Sequence, residues 1–468
     1  MKFITVILLS IMIGGAACTY PQQLLTNVGN TRQSLSALYL ATKQDKQRAY
    51  GLFLDTVIAQ QDKYWIIKAA SLSTIDEIFD LAMAADATHL KIELLTDNAR
   101  NGHGASQFQL ALMSKRPDTR IRWLIESAEQ GNKQALEALR ELQKLDGDTL
   151  LKTTWLPQLA KLEVSFLIEY AKGVWREKSP SHAIDMLRQS HFHQTKTVQS
   201  LLQNIEAHRL GNGSTNHLAA EQDCNIAVQF ISDSLNSLDK AKQLSQQYRQ
   251  DKRFEDHSVC FNAPIWIAPQ RLNCSNESSQ RLSCDMAAIF DVADKISFTH
   301  AVVIAQNGVA NVHNGIMYLD KHDDYLVFLH EFAHFAGFVD EYPLPSELAE
   351  NFCHRDKAPN LVFANNQAEI IENPFPSLVS PVTLTKARTC QLTSRIAFKP
   401  VTQMTFMEYH DAGEIPDAYL HIWKQVLDET KLLTPVFVNL AQWFESQNDQ
   451  QQAQYWWNKY YQYQQTSS

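Results

Sequence analysis

Glycine and proline are scarce in this chain, with 15 of each in 468 residues. Hairpin-rich proteins need many positions of positive or fixed φ at their turns, so the scarcity points to a largely helical protein with few tight strand turns. Excess positive charge is missing too. Lys and Arg total 42 against 51 Asp and Glu, for a net charge of -9. That leaves no broad basic surface for a phosphate backbone, and nucleic acid is excluded as an expected partner. Cysteine is absent between Cys18 and Cys224, so a disulfide framework belongs to the second half. The apolar run from Phe3 to Ile13, broken by Thr5 and Ser10, is too short for a membrane span. What is present is ordinary globular composition, 45% hydrophobic and 20% charged, in a chain long enough for two or three domains.

The first eighteen residues read as an export signal. Lys2 supplies the positive start, Phe3 to Ile13 the apolar centre, and Gly14, Gly15, Ala16 and Ala17 a small-residue cleavage zone ending at Cys18. This arrangement resembles a bacterial lipobox, which implies an acylated Cys18 and a membrane attached through an N-terminal lipid. Thr19 in place of Asp implies the outer membrane by the same resemblance; a soluble periplasmic or secreted protein is the alternative. The six other cysteines are Cys224, Cys260, Cys274, Cys284, Cys353 and Cys390. An even set in an exported chain suggests up to three disulfides, with Cys274–Cys284 and Cys353–Cys390 paired by proximity.

Beyond the signal, residues 19–215 carry helix-type patterning. Ala128-Glu129-Gln130-Gly131-Asn132, with Ala135 and Leu139 beyond, resembles the second helix of SEL-type tetratricopeptide-like repeats, and Leu167, Tyr170, Gly173, Ala183 and Leu187 give a weaker echo. Ordinary amphipathic helix pairs would show the same pattern. The polar run Gly211 to Asn216 marks a boundary. Helical segments are expected from there to about residue 250, followed by strands at Ala263 to Ala268, His300 to Ala305 and Gly315 to Leu319. These define an α+β domain over 216–430. Residues 431–468 carry Phe437, Leu440, Ala441, Phe444, Ala453 and Trp457 at the spacing of a tetratricopeptide unit. A lone pair of helices cannot bury its apolar face, so this pair is expected to pack on the domain before it.

The chemistry lies in Tyr325 to Gly337. His330 and His334 are four residues apart in an apolar segment, and in a helix they stand on one face where both imidazoles reach one ion. Glu331 sits beside them, placed to take a proton from metal-bound water. Asp323 and Asp324 are placed to cap the helix start and Gly337 to end it.

The longer pattern His330-Glu331-x-x-His334-x-x-Gly337-x-x-Asp340 resembles the metzincin signature with Asp as third ligand. The chain is also similar to the bacterial IgA-peptidase-type metallopeptidases, whose zinc helix runs into an Asp-Glu-Tyr triplet, here Asp340-Glu341-Tyr342. Thr405 to Tyr409 resembles the metzincin Met-turn, with Met407 beneath the metal, Tyr409 near it and Met404 as a rival. The resemblance implies a zincin-like fold holding Zn2+ through His330, His334 and Asp340, and hydrolysis of a protein or peptide substrate with Glu331 as base and Tyr409 at the oxyanion. The helical region would position the enzyme or bind a protein partner. Glu341 is the rival third ligand, and its expected role is to fix the loop. In a gluzincin-type arrangement the third ligand would be Glu347 or Glu350. His313, lying just before a cleft-lining strand, and His300, His322, His354, His410 and His421 are expected to be surface or structural. A non-catalytic scaffold with a structural or degenerate zincin domain is the reading from another class; the intact Glu331 argues against it, since a structural site needs no base.

Overall fold

The computed structural model describes residues 23–27, 34–145, 155–211, 224–275, 277–370, 373–378, 382–412 and 414–465. The signal segment, Cys18 and most of the junction at 211–216 lie outside them. The chain divides into two compact units, 1–170 and 171–468. The division falls inside the helix Val164–Glu177, earlier than the polar junction suggested.

The described part of the first unit is helical throughout. Its helices begin on side-chain caps: Asp62 accepts from Tyr64 and Trp65, and Thr74 and Glu77 form a reciprocal capping box. Two helices, Thr88–Arg100 and Pro117–Glu129, end alike. Gly102 and Gly131 take φ +84° and +82°. The His103 and Asn132 amides then return to the Asn98 and Ser127 carbonyls at 3.3 and 3.1 Å. Both of those residues are buried, and the Ser127 hydroxyl donates to the Gly104 carbonyl at 2.6 Å. The two helices thus share one ending, about thirty residues apart in the chain. The apolar faces close two successive cores, one around Phe53 and Leu95 and one around Leu124 and Leu139.

The second unit is built on a mixed sheet of six strands: β1 (Ile226–Ser232), β2 (Val259–Phe261), β3 (Ile265–Trp266), β4 (His300–Ala305), β5 (Asn311–His313) and β6 (Ile316–Asp320). Their order is β2-β1-β4-β6-β5, with β3 also on β1; β5 is antiparallel to β6 and the other pairs are parallel. Alternation along the strands sorts side chains onto two covered faces. Val228, Phe230, Val302, Ile304, Met317 and Leu319 face a core that includes the helix Tyr325–Phe335. Ile231, Ala301, Val303, Ile316 and Tyr318 face a core completed by the C-terminal helices.

Mixed α and β structure is as expected, but β1 corrects the reading of residues 216–250 as helical. Ile226 to Ser232 is a central strand with all but one residue buried. A second sheet of β7 (Val362–Ala364), β8 (Thr385–Ala387) and β9 (Ile396–Lys399), ordered β7-β9-β8, follows the motif helix. The helices Val436–Ser446 and Gln450–Gln465 are part of this same unit. Val436, Leu440, Phe444 and Trp456 enter its core, and the Val436 amide donates to the Thr299 carbonyl at 2.8 Å. Gly315 permits that docking, because a Cβ there would meet the Val436 nitrogen and the Pro435 carbonyl carbon within bonding range. Cys274–Cys284 and Cys353–Cys390 pair as expected, and Cys224–Cys260 completes the set.

Candidate metal centre and cleft

The helix Tyr325–Phe335 follows β6 after a short turn. Asp324 caps it, its carboxylate accepting from the Leu326 and Val327 amides at 2.9 and 3.0 Å. Asp323 does not share the cap; its Oδ2 accepts from the Asp320 amide at 2.6 Å instead. Gly337 ends the helix with φ +74°, and the Phe338 amide turns back to the Ala333 carbonyl at 3.2 Å.

That turn brings Asp340 back over the helix face. Its Oδ1 lies 3.1 Å from His330 Nε2 and 3.3 Å from His334 Nε2. Among the described residues these three form the one His/Cys/Asp/Glu group able to hold a metal ion. The other imidazole nitrogens explain the orientation. His330 Nδ1 lies 2.9 Å from the Phe406 carbonyl and His334 Nδ1 lies 2.8 Å from the Phe338 carbonyl. A carbonyl only accepts, so each Nδ1 donates to its carbonyl and each Nε2 is turned toward Asp340, free to ligate an ion there.

The donor set fits a tetrahedral ion. Ligands at about 2.0–2.1 Å from zinc in tetrahedral geometry stand about 3.3 Å apart, close to the spacings seen. Asp340 Oδ1 is buried without a hydrogen-bond partner, as an atom aimed at a cation would be. Without a metal, a proton takes the cation's part. Burial alone would lower the His334 pKa, but the Asp340 carboxylate outweighs it and the pKa is raised to about 9. Burial pushes Asp340 the other way, yet the two imidazoles hold it well below the usual carboxylate range. A metal would displace that proton.

Glu341, one residue on, has a different task. It is fully buried. Its carboxylate accepts from Asn360 at 3.0 Å, from Thr405 at 2.6 Å and from the Tyr419 hydroxyl, with Lys399 Nζ 3.4 Å away. Its amide donates to the Met407 carbonyl at 3.0 Å. Glu341 therefore ties the segment after the motif helix to the 405–409 turn. Asn360 clamps the same segment by bonding both the amide and the carbonyl of Val339. Met407 is fully buried in the core, whereas Met404 is half exposed.

Glu331 is 7% exposed. Burial raises its pKa despite both imidazoles, which makes its carboxylate a stronger base. It lines a cleft of about 570 Å³ with His330, Tyr342, Tyr409 and His410. Tyr409 stands at this cleft, half exposed. Tyr342 bonds the Asp340 carboxylate, and burial together with that charge raises its pKa. Asp323, Arg388 and Glu408 also line the cleft.

The remaining candidates fall as follows. His410 lines the cleft. Glu347 and Glu350 are exposed and outside the metal group, Glu350 pairing with His354. His300 is buried against Phe335, and His313 is bound to Asn439. Tyr342 was visible within the Asp-Glu-Tyr triplet without a role, whereas Asn360, Lys399 and the Phe338 and Phe406 carbonyls had no local signal at all. Comparison with family models, with curated proteins and with solved structures finds no match for this chain.

Proposed function

We propose that this protein is a zinc-dependent peptidase. The observation that carries the reading is the convergence of His330, His334 and Asp340 beside a buried Glu331 on the wall of a cleft. Zinc held by those three residues would lower the pKa of a bound water and polarise a peptide carbonyl. Glu331 takes the water's proton and passes it to the leaving amine, a role favoured by its raised pKa. Tyr409 stands at the cleft to donate to the developing oxyanion. Gly308 to Ala310 line the cleft and lead into β5 at the edge of the sheet. An extended peptide laid beside that edge would pass Glu331.

The cell envelope is the proposed setting, with Cys18 carrying lipid and the first unit binding a protein partner. Three disulfides suit an exported chain, and no described helix is long and apolar enough to cross a membrane. The test of the peptidase reading is Glu331→Gln, which keeps size and ligands but cannot accept a proton. Hydrolysis should fall by at least ~10²-fold, the usual weight of a positioned base, with metal content unchanged. Equal cleavage by this variant would overturn the reading.

A further inference from the structure

The loop closed by the Cys274–Cys284 disulfide packs against a segment that lines the cleft. Arg281 bridges to Val309 in parallel strand fashion; the Leu282 amide donates to the Val309 carbonyl at 3.0 Å and the Val309 amide to the Gln280 carbonyl at 2.8 Å. Gly308 and Val309 are themselves cleft residues. Leu282 is 2% exposed and seated in the core. Its side chain lies so close to Gly308 that a Cβ there would come within 2.6 Å of two of its carbons. Gly308 also has φ +150°, so both space and backbone demand glycine. The segment from Gln280 to Cys284 is thus held by the disulfide, by the pairing with Val309 and by the buried Leu282.

Successive side chains along an extended segment point oppositely. With Leu282 turned into the core, Arg281 is left exposed beside the cleft. Its charge reaches both Glu331 and Tyr342. The other guanidinium at the cleft, Arg388, already faces Glu408, which is paired in turn with Lys399. Arg281 has no ion-pair partner among the described residues. An exposed guanidinium without an ion-pair partner, on a segment paired with the cleft residue Val309, is a receptor for a planar anion, and on a peptide that anion is a carboxylate.

Resting on the peptidase reading, we propose that Arg281 is a specificity-determining residue that binds a carboxylate of the peptide substrate, from an acidic side chain or from the chain end. The test digests a synthetic random peptide library, made with free and with amidated C-termini, with the full chain, with Arg281→Gln and with Arg281→Lys. Cleavage products are read by mass spectrometry. The wild-type protein should favour a carboxylate at one fixed position from the cut. Arg281→Gln should lose about tenfold of that preference, the scale of a hydrogen bond to a charged group, and Arg281→Lys should keep part of it. Bias toward Asp or Glu within the peptide identifies a side chain; bias abolished by C-terminal amidation identifies the chain end. If wild type and Arg281→Gln cut with the same profile, the Arg281 assignment is overturned and the peptidase reading stands. If nothing is cut, or Glu331→Gln cuts like wild type, the peptidase reading fails and takes this assignment with it.

Discussion

The two units of the chain treat buried polarity in opposite ways. In the described part of the first unit the buried polar side chains are Thr42, Asn98, Ser106, Gln107 and Ser127, all neutral hydrogen-bonding groups. In the second, Asp233, His300, His330, Glu331, Glu341 and Lys399 are buried as well. Burying an ionisable group costs far more than burying an amide or hydroxyl unless it is paired. A helical stack has no need to accept that cost, and the first unit does not. The second accepts it, mostly around one helix and the turn beneath, where the proposed metal ligation and proton transfer would supply a reason. Burial of charge, more than the motif itself, separates a scaffold from a site.

The contrast can be broken most forcefully at Glu341. Glu341→Ala would leave Lys399 with Glu408 alone as its ion-pair partner and strip a buried acceptor from Asn360, Thr405 and Tyr419. The loss of one charge from this buried cluster and of the acceptor for three buried donors should cost about 3–5 kcal/mol, read as a lower urea midpoint of the second unit. A shift within error would show that Glu341 is not the tie between the helix and the 405–409 turn.

His300 should make the second unit the acid-sensitive one. Burial lowers its pKa from 6.5 to about 3, so the unfolded chain takes up a proton below pH 6.5 while the folded chain does not. Stability is therefore full above pH 6.5 and falls as pH drops toward 3, with His257, lowered to about 4 mainly by burial, acting in the same direction. The expected slope per group is about 1.4 kcal/mol per pH unit. His300→Leu should remove one group's worth of slope between pH 6 and 4 in urea titrations. An unchanged slope would contradict the account.

The smallest effect belongs to the first unit. Thr74→Ala removes one half of a capping box and should cost about 1 kcal/mol, with metal content and cleavage unaltered. Loss of metal on that change would erase the distinction between the units.

Much of the site was legible because its signals are local. His330 and His334 share a helix face, Gly337 permits the turn, and Asp340 is the first carboxylate after it. The near cysteine pairs were legible for the same reason. β1 was not, since Gln229 interrupts its apolar run and burial on both sheet faces removes the alternation that marks a strand. Asp323 and Asp324 are adjacent carboxylates whose roles differ only through the fold around them. Asn360, Lys399 and Phe406 act on the site from 21 to 76 residues away in sequence, and no spacing rule reaches that far.

Metal content measured on purified protein tests the central claim most directly. The full chain should carry about one zinc ion per chain. Asp340→Ala should lose it, because two imidazoles from one helix leave the site short of a protein ligand, while Glu341→Gln should retain it. Protein that holds no zinc after purification and takes up none when zinc is added back would contradict the account, as would Asp340→Ala binding zinc like wild type.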